Sequence, residues 1–327
     1  MKVLLTGASG FVGSHILDAL MASGIATAIL LRPTSSRRFI KQHLPRIEVR
    51  LGSISDLPSL REAMHDATHV VHCAGCTKAP RVAEFYEVNQ VGARNVVQAV
   101  NHRRDHIQRM VHISSLAAAG PAPPAKPARE DDPPQPVSEY GKSKLAGELE
   151  VRENCRTDFV VLRPPVVYGP RDEQLLSLFK AVKLQLLPTF RGGTQALSLV
   201  FVKDLAEAAV ASLTHPAAGR RTFFVASPKI VTARQLAEQI AAQMNLRTWP
   251  LPLPSAILWS VCAIQELLSR LTGKASVVNL DKYVELRSPA WVCDPSRLRR
   301  ELGFECSMNL RKGIAETLTW YRQHGWL

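Results

Sequence analysis

The chain predicts an α/β fold, a doubly wound parallel sheet followed by a smaller C-terminal lobe. Three observations carry that expectation. Over the first half, strand-length apolar runs alternate with helix-length amphipathic segments. The runs are continuous Val, Ile and Leu, as strands covered on both faces require. Three glycines also stand between the first run and the first amphipathic segment. With 327 residues, 46% hydrophobic and 21% charged, the chain can bury a large core in one domain or two.

Taken in order, the predicted strands are VLLT (3–6), ATAILL (26–31), IEVRL (47–51), HVVHCA (69–74), MVHIS (110–114) and FVVLR (159–163). Helices are predicted over 11–23, 36–44, 56–66, 81–102 and 137–154, where apolar residues recur at helical spacing. Strand, helix, strand repeated in this way places helices on both faces of a parallel sheet. Residues 1–170, with part of 195–230, are expected to form this unit, and 171–327 mainly the lobe.

The exit of the first strand reads TGASGFVG, with Gly7, Gly10 and Gly13 between strand and helix. The first glycine permits a tight turn, the second lets backbone approach a pyrophosphate, and the third lets helix and strand pack closely. The following helix would aim its unpaired N–H groups and positive dipole end at the phosphates. This predicts a Rossmann-type dinucleotide site in which Thr6, Ser9, Phe11 and Val12 accompany the glycines as contacts. NAD selection ordinarily uses an acidic residue after the second strand, yet no Asp or Glu occurs from 19 to 47. Arg32, with Arg37 and Arg38, stands there instead and could grip a 2′-phosphate, which favours NADP and leaves NAD possible. Ser53 and Ile54 are placed to meet the adenine, and Cys73, Ala74 and Gly75 end the fourth strand with small residues beside the cofactor. His72 and His112 lie inside apolar runs and read as packed, neutral histidines.

The fifth strand ends in Ser114-Ser115, and VSEYGKSK follows beyond a loop, on the next predicted helix. Tyr140 and Lys144 are four residues apart and share a helix face. A phenol ordinarily ionises near pH 10; a neighbouring ammonium and an oxidised nicotinamide would lower that value. Tyr140 could then exchange a proton with a carbonyl or alcohol while Ser115 holds the same oxygen.

At these residues the chain resembles the extended short-chain dehydrogenase/reductases, which include NAD(P)-dependent epimerases, dehydratases and reductases. TGASGFVG, the Ser-Ser pair and YGKSK carry the likeness, supported by VNQVGARNVVQA (88–99), VVLRPPVVYGPRD (160–172), FVKDLAEA (201–208) and LGF (302–304). The resemblance implies Ser115 as the substrate-polarising hydroxyl, Tyr140 as acid/base and Lys144 as ribose ligand. It also implies Asn89 supporting the active-site helix, Pro164 and Val166 lining the nicotinamide pocket, and Ser114, Tyr140 and Lys144 among the cofactor contacts. Three features depart from the sugar-nucleotide members. Ala119 replaces a tyrosine, Gly52-Ser53 replaces Gly-Asp, and Arg32 is similar to the branch of dihydroflavonol 4-reductases and 3β-hydroxysteroid dehydrogenases. Helices 81–102 and 137–154 pair subunits in many relatives, which makes a homodimer the expectation by analogy.

The remaining chain is read as substrate-binding. Residues 116–136 hold seven prolines and suit either a substrate-facing wall or a solvated loop. Segment 251–273 is strongly apolar but interrupted by Gln265, Glu266 and Arg270, too short a run for a membrane span. It is read first as a buried helix, then as the wall of an apolar pocket, and last as a membrane-surface contact. Arg171, Arg191 and Lys203 are unassigned and could serve a second pyrophosphate. The formal charge of +13 comes from 41 Lys and Arg spread along the chain, which points to an anionic cofactor rather than to nucleic acid. Cys73 and Cys76 form a C-x-x-C without a second ligand pair, so no metal is expected, and the absence of a secretory core after Met1 makes the cytoplasm the expected location. Three functions fit: an NADP-dependent reductase or dehydrogenase on a carbonyl or alcohol, a nucleotide-sugar epimerase or dehydratase, and a non-catalytic NADPH sensor.

Overall fold

A computed structural model describes residues 1–327 apart from Lys274, Ala275, Val277 and Val278 and the side chain of Arg191. The six apolar runs become β1 (Lys2–Thr6), β2 (Ala26–Leu31), β3 (Glu48–Leu51), β4 (His69–His72), β5 (Arg109–Ile113) and β6 (Asp158–Arg163). A further strand, Arg221–Phe224, joins them at the edge. All seven are parallel, in the order β3-β2-β1-β4-β5-β6 and then Arg221–Phe224. The chain thus winds outward in one direction from β1 through β3 and in the other from β4, so a crevice opens at the carboxyl ends of β1 and β4.

Burial on both faces explains the unbroken apolar runs. On one face Ile16, Leu17 and Leu20 of α1 (Phe11–Ala22), with Leu205, Ala208 and Ala209 of the helix Val202–Thr214, cover Leu5, Val71, Val111 and Val160. The opposite face is covered by α2 (Leu57–Ala63), α4 (Gly92–His102) and α6 (Glu139–Asn154). Their Leu60, Val96, Val97, Val100 and Val151 meet Leu4, Val70, Met110 and Val161. Alternate residues of β1 therefore enter different cores, and burial of each such side chain contributes about 1.5–3 kcal/mol. Between α2 and α4 lie α3 (Val82–Tyr86) and a π turn, Glu87–Val91, and α5 (Leu116–Ala119) follows β5. A third core gathers Phe179, Ile240, Ile314, Leu318 and Tyr321 from the C-terminal half with Leu199 and Phe201.

Two expectations are corrected. Segment 36–44 is not an amphipathic helix: the chain makes turns and then a 3-10 helix, Lys41–Arg46, that contains Pro45. Ile40 is buried and Leu44 packs partly against the same core, while Phe39 turns away to Trp320 and Trp326, and Pro45 brings no N–H to extend an α-helix. The apolar helix forms over Ser255–Thr272, but it is not buried; only Cys262 and Ser269 are. The proline-rich loop is pinned to the C-terminal half, Ala128 N–H donating to Val292 O (3.0 Å) and Asp294 N–H to Ala128 O (2.9 Å).

Candidate active site

The glycine turn folds as its sequence demands. Gly7 has φ +76° and lies against Cys73-Ala74, where a Cβ would come within 2.6 Å of Ala74 N. A Cβ on Gly13 would stand 2.1 Å from Gly7 O, so α1 can press onto the turn only through glycine. Gly10 differs: it is exposed, and a Cβ there would meet only Gly7 O, at 3.4 Å. As N-cap of α1 it offers no side-chain cap, leaving first-turn N–H groups facing the crevice for an anion. Ser9, Phe11 and Val12 flank it half-buried, whereas Thr6 is buried, its Oγ1 accepting from Ala74 N (3.3 Å) and sharing a bond with His72 Nδ1 (2.8 Å). These groups fit a dinucleotide pyrophosphate.

Around that turn the structure collects the other candidates. Arg32 leaves β2, the neighbour of β1; it and Arg37 are exposed, and among the described residues neither has an ion-pair partner. Arg38 instead pairs with Glu173 and sits 4.3 Å over the Phe39 ring. Ser53 and Ile54 follow β3, Ser53 N–H donating to Ser59 Oγ (3.1 Å) and Ile54 O accepting from Asn95 Nδ2 (2.9 Å). Asn89, in the π turn, accepts from Cys76 N (2.8 Å) and donates to Ser143 Oγ (2.9 Å), tying the exit of β4 to α6.

The α6 helix begins at Ser138, whose side chain caps Gly141 N (3.0 Å). Gly141 lies so near α5 that a Cβ would meet Ala117 O at 2.4 Å, and this close approach sets Tyr140 beside Ser115. Ser115 Oγ accepts the Ala117 N–H (3.1 Å), which leaves its proton for the phenol oxygen. Lys144, one turn on, is buried and donates to Ile113 O at 2.8 Å; its Nζ also stands 3.7 Å from the place of a Cβ on Gly75. Burial holds this ammonium down at about 8, partly offset by Cys73 and Glu148. Burial likewise pushes the Cys73 thiol up to about 12 and the His72 imidazole down to about 3, so both are neutral near pH 7. His112 is held neutral by the same cause, its ring 5.2 Å from that of His72.

Two sequence expectations change here. The Tyr140 phenol moves upward, to about 12, because burial outweighs the Ser115 bond and nearby Glu285 adds to the rise. Ser114 does not turn to the crevice: its hydroxyl donates to Glu148, which is buried with Arg163 in a two-point ion pair (Nε–Oε1 2.9 Å, Nη2–Oε2 2.6 Å). Pro164 follows that arginine, buried and accepting from Leu116 N (2.8 Å), while Val166 is 41% exposed. Of the unassigned cations, Arg171 pairs with Asp18 (2.8 Å) and Lys203 with Glu316 (2.6 Å), and the side chain of Arg191 lies outside the described residues.

Sequence reasoning missed four residues. Glu148 lies four residues beyond Lys144, and Arg163 ends an otherwise apolar strand; both were visible signals of a buried pair. Asp281 accepts from the N–H groups of Glu139 (2.6 Å) and Tyr140 (3.1 Å), and Glu285 accepts from Ser138 Oγ (2.9 Å). No local signal marks those two, since they meet α6 from about 140 residues away.

This arrangement defines a nicotinamide-dinucleotide enzyme of the short-chain dehydrogenase type, with its cleft at the β1/β4 switch point. The chain belongs to the NAD dependent epimerase/dehydratase family, whose pattern it matches over residues 3–226. It is 30% identical over 326 residues to a ceramide reductase of Caulobacter vibrioides, covering 99% of this chain and 96% of the relative. A UDP-glucose 4-epimerase of Vibrio cholerae is 26% identical, with 97% and 94% covered. Among solved structures, Bordetella bronchiseptica WbmH in complex with NAD+ superposes with TM-score 0.78 at 26% identity, over 99% of both chains.

Proposed function

We propose that the protein is an NADP-dependent oxidoreductase that reduces a hydrophobic carbonyl to its alcohol. When bound, the nicotinamide supplies the hydride. Tyr140 donates the proton to the carbonyl oxygen as the hydride reaches the carbon, and Ser115 turns its hydroxyl from the phenol to hold that oxygen. Lys144, one helical turn from Tyr140, is the ribose ligand. Gly10 and the first turn of α1 receive the pyrophosphate, and Arg32 with Arg37 receives the 2′-phosphate. Segment 171–327 supplies the substrate wall.

The observation that carries this reading is the convergence of Ser115, Tyr140 and Lys144 beside Cys73–Gly75 at the switch point, with the phenol held up at about 12. A phenol is protonated near pH 7 at its ordinary value as well, so Tyr140 can serve as donor to a carbonyl oxygen. The ceramide reductase relative supports an apolar substrate, as does the engagement of Arg171 and Lys203 in ion pairs, which removes two cations from service to a second pyrophosphate. The epimerase relative supports the second reading, a nucleotide-sugar epimerase or dehydratase.

Incubating the purified protein with NADPH and a series of long-chain ketones separates them. Reduction consumes one NADPH per alcohol formed; turnover of a UDP-sugar with no net change in NADPH absorbance selects the second reading. The Arg32→Ala/Arg37→Ala variant should lose at least about tenfold in NADPH affinity, one charge-assisted contact's worth, with NADH affinity unchanged.

A further inference from the structure

The helix Ser255–Thr272 inverts the usual amphipathic arrangement. The side packed on the protein carries buried Cys262 and Ser269 and half-buried Glu266. Outward, Ile257, Val261, Ile264, Leu267, Leu268 and Leu271 are each between 44% and 74% exposed. Five of them, at 257, 261, 264, 268 and 271, repeat at four- and three-residue steps and so form one stripe along the helix. The strand that leads into the helix, Trp249–Leu253, adds Trp249, which is 72% exposed, and Leu251. That strand pairs with Leu186–Phe190, beside exposed Leu184. Single exposed leucines need no explanation, but a contiguous stripe of this length does.

The charge around the stripe decides what covers it. Lys180, Lys183 and Arg247, close in the chain to exposed Leu184 and Trp249, are exposed, as is Arg270 on the helix itself. Across 174–203 and 245–273 the only acidic residue is Glu266, which is turned inward: it pairs with Arg270 and accepts from Leu280 N (3.1 Å). An apolar stripe with a basic, acid-free border and an exposed tryptophan matches the headgroup layer of an anionic bilayer. A second copy of the chain would bring these cations face to face. No helix among the described residues is long and apolar enough to cross a membrane, so the contact is with one leaflet.

The stripe is also joined to the active site. Glu266 holds the start of the helix Leu280–Arg287, whose Asp281 accepts the Tyr140 N–H and whose Glu285 accepts from Ser138. We propose that the Ser255–Thr272 helix and the Trp249–Leu253 strand seat the protein on an anionic membrane surface and present the Tyr140 cleft to a carbonyl substrate dissolved in the lipid. The substrate half of this statement rests on the reductase reading above; the docking half does not.

The test uses the full chain and vesicles of phosphatidylcholine with and without one third phosphatidylglycerol. The wild-type protein should sediment with the anionic vesicles at least about tenfold more than with the neutral ones, and salt should weaken the binding. Ile264→Ser/Leu267→Ser/Leu271→Ser should abolish sedimentation while turnover of a water-soluble ketone with NADPH continues. Lys183→Glu/Arg247→Glu, which leaves the stripe and the Glu266–Arg270 pair intact, should lower binding to the anionic vesicles alone. Wild-type protein that stays in the supernatant, or a triple variant that binds as well as wild type, overturns the proposal. So does a wild-type dimer in solution that becomes a monomer in the triple variant without any vesicle binding. Vesicle binding without oxidation of NADPH by any carbonyl supports docking and overturns only the substrate half.

Discussion

Replacing Lys144 by methionine should separate what this residue contributes to folding from what it contributes to chemistry. Its ammonium is buried, with one carbonyl, that of Ile113, at 2.8 Å. Burial moves its titration from 10.5 to about 8, which at about 1.36 kcal/mol per pH unit is a cost of about 3 kcal/mol to the charged folded state. Between pH 8 and 10.5 the unfolded chain holds this proton and the folded chain does not, so the contribution to stability rises with pH over that window. It is absent above the unfolded value and present in full below 8. Lys144→Met removes it. Wild-type and variant stabilities from urea unfolding should therefore differ by a pH-dependent amount of about 3 kcal/mol, in the variant's favour below pH 8 and vanishing by pH 10.5. A constant offset from packing and the lost Ile113 bond is added to this. Taking the difference between the two proteins cancels the buried thiols and phenols in that alkaline range that do not feel Lys144; the Cys73 thiol does feel it and adds a smaller change of its own. Reductase turnover should fall by on the order of a hundredfold or more in the same variant. A stability difference that is flat from pH 7 to 10.5 would refute the burial argument.

Substitutions at three further positions test the frame of the site. Glu148→Ala leaves the Arg163 guanidinium buried without its partner and should cost about 3–5 kcal/mol in denaturant unfolding, with Glu148→Gln costing less because one hydrogen bond survives. Gly13→Ala drives a Cβ to 2.1 Å from Gly7 O; forcing the turn apart should cost about 1–3 kcal/mol and lower NADPH affinity measured by fluorescence titration. Asp281→Asn removes the charge that receives the first N–H groups of α6, and turnover should drop while NADPH affinity stays within about twofold.

The sheet was readable in the sequence because its inner strands are covered twice: Leu4 and Leu5 enter opposite cores, so apolar residues follow one another there, whereas the edge strand β3 carries Glu48 and Arg50. The glycine turn and the Tyr140–Lys144 pair were readable because their geometry is local, a turn in one case and one helical step in the other. What depended on distant partners was not. Asp281 reaches Tyr140 from the far end of the chain, and the direction of the phenol's shift depended on burial that no spacing reports. Ser114, expected among the cofactor contacts, gives its hydroxyl to Glu148, a partner 34 residues away that no local spacing reports. Residues 36–44 carried a helical pattern, but Pro45 just beyond it brings no N–H to extend an α-helix. The Ser255–Thr272 stripe was periodic in the sequence, but periodicity marks an apolar face and says nothing of whether protein or lipid lies against it.

The most direct measurement is the kinetics of Tyr140→Phe with NADPH and a carbonyl that the wild-type protein reduces. The ring, its packing against Phe85 and the cofactor turn are retained, and only the proton at the phenol oxygen is gone. We expect NADPH affinity within about threefold of wild type and a fall in kcat on the order of a hundred- to ten-thousandfold. An unchanged kcat would mean that the proton comes from another group and that the site as built here is not the catalytic one.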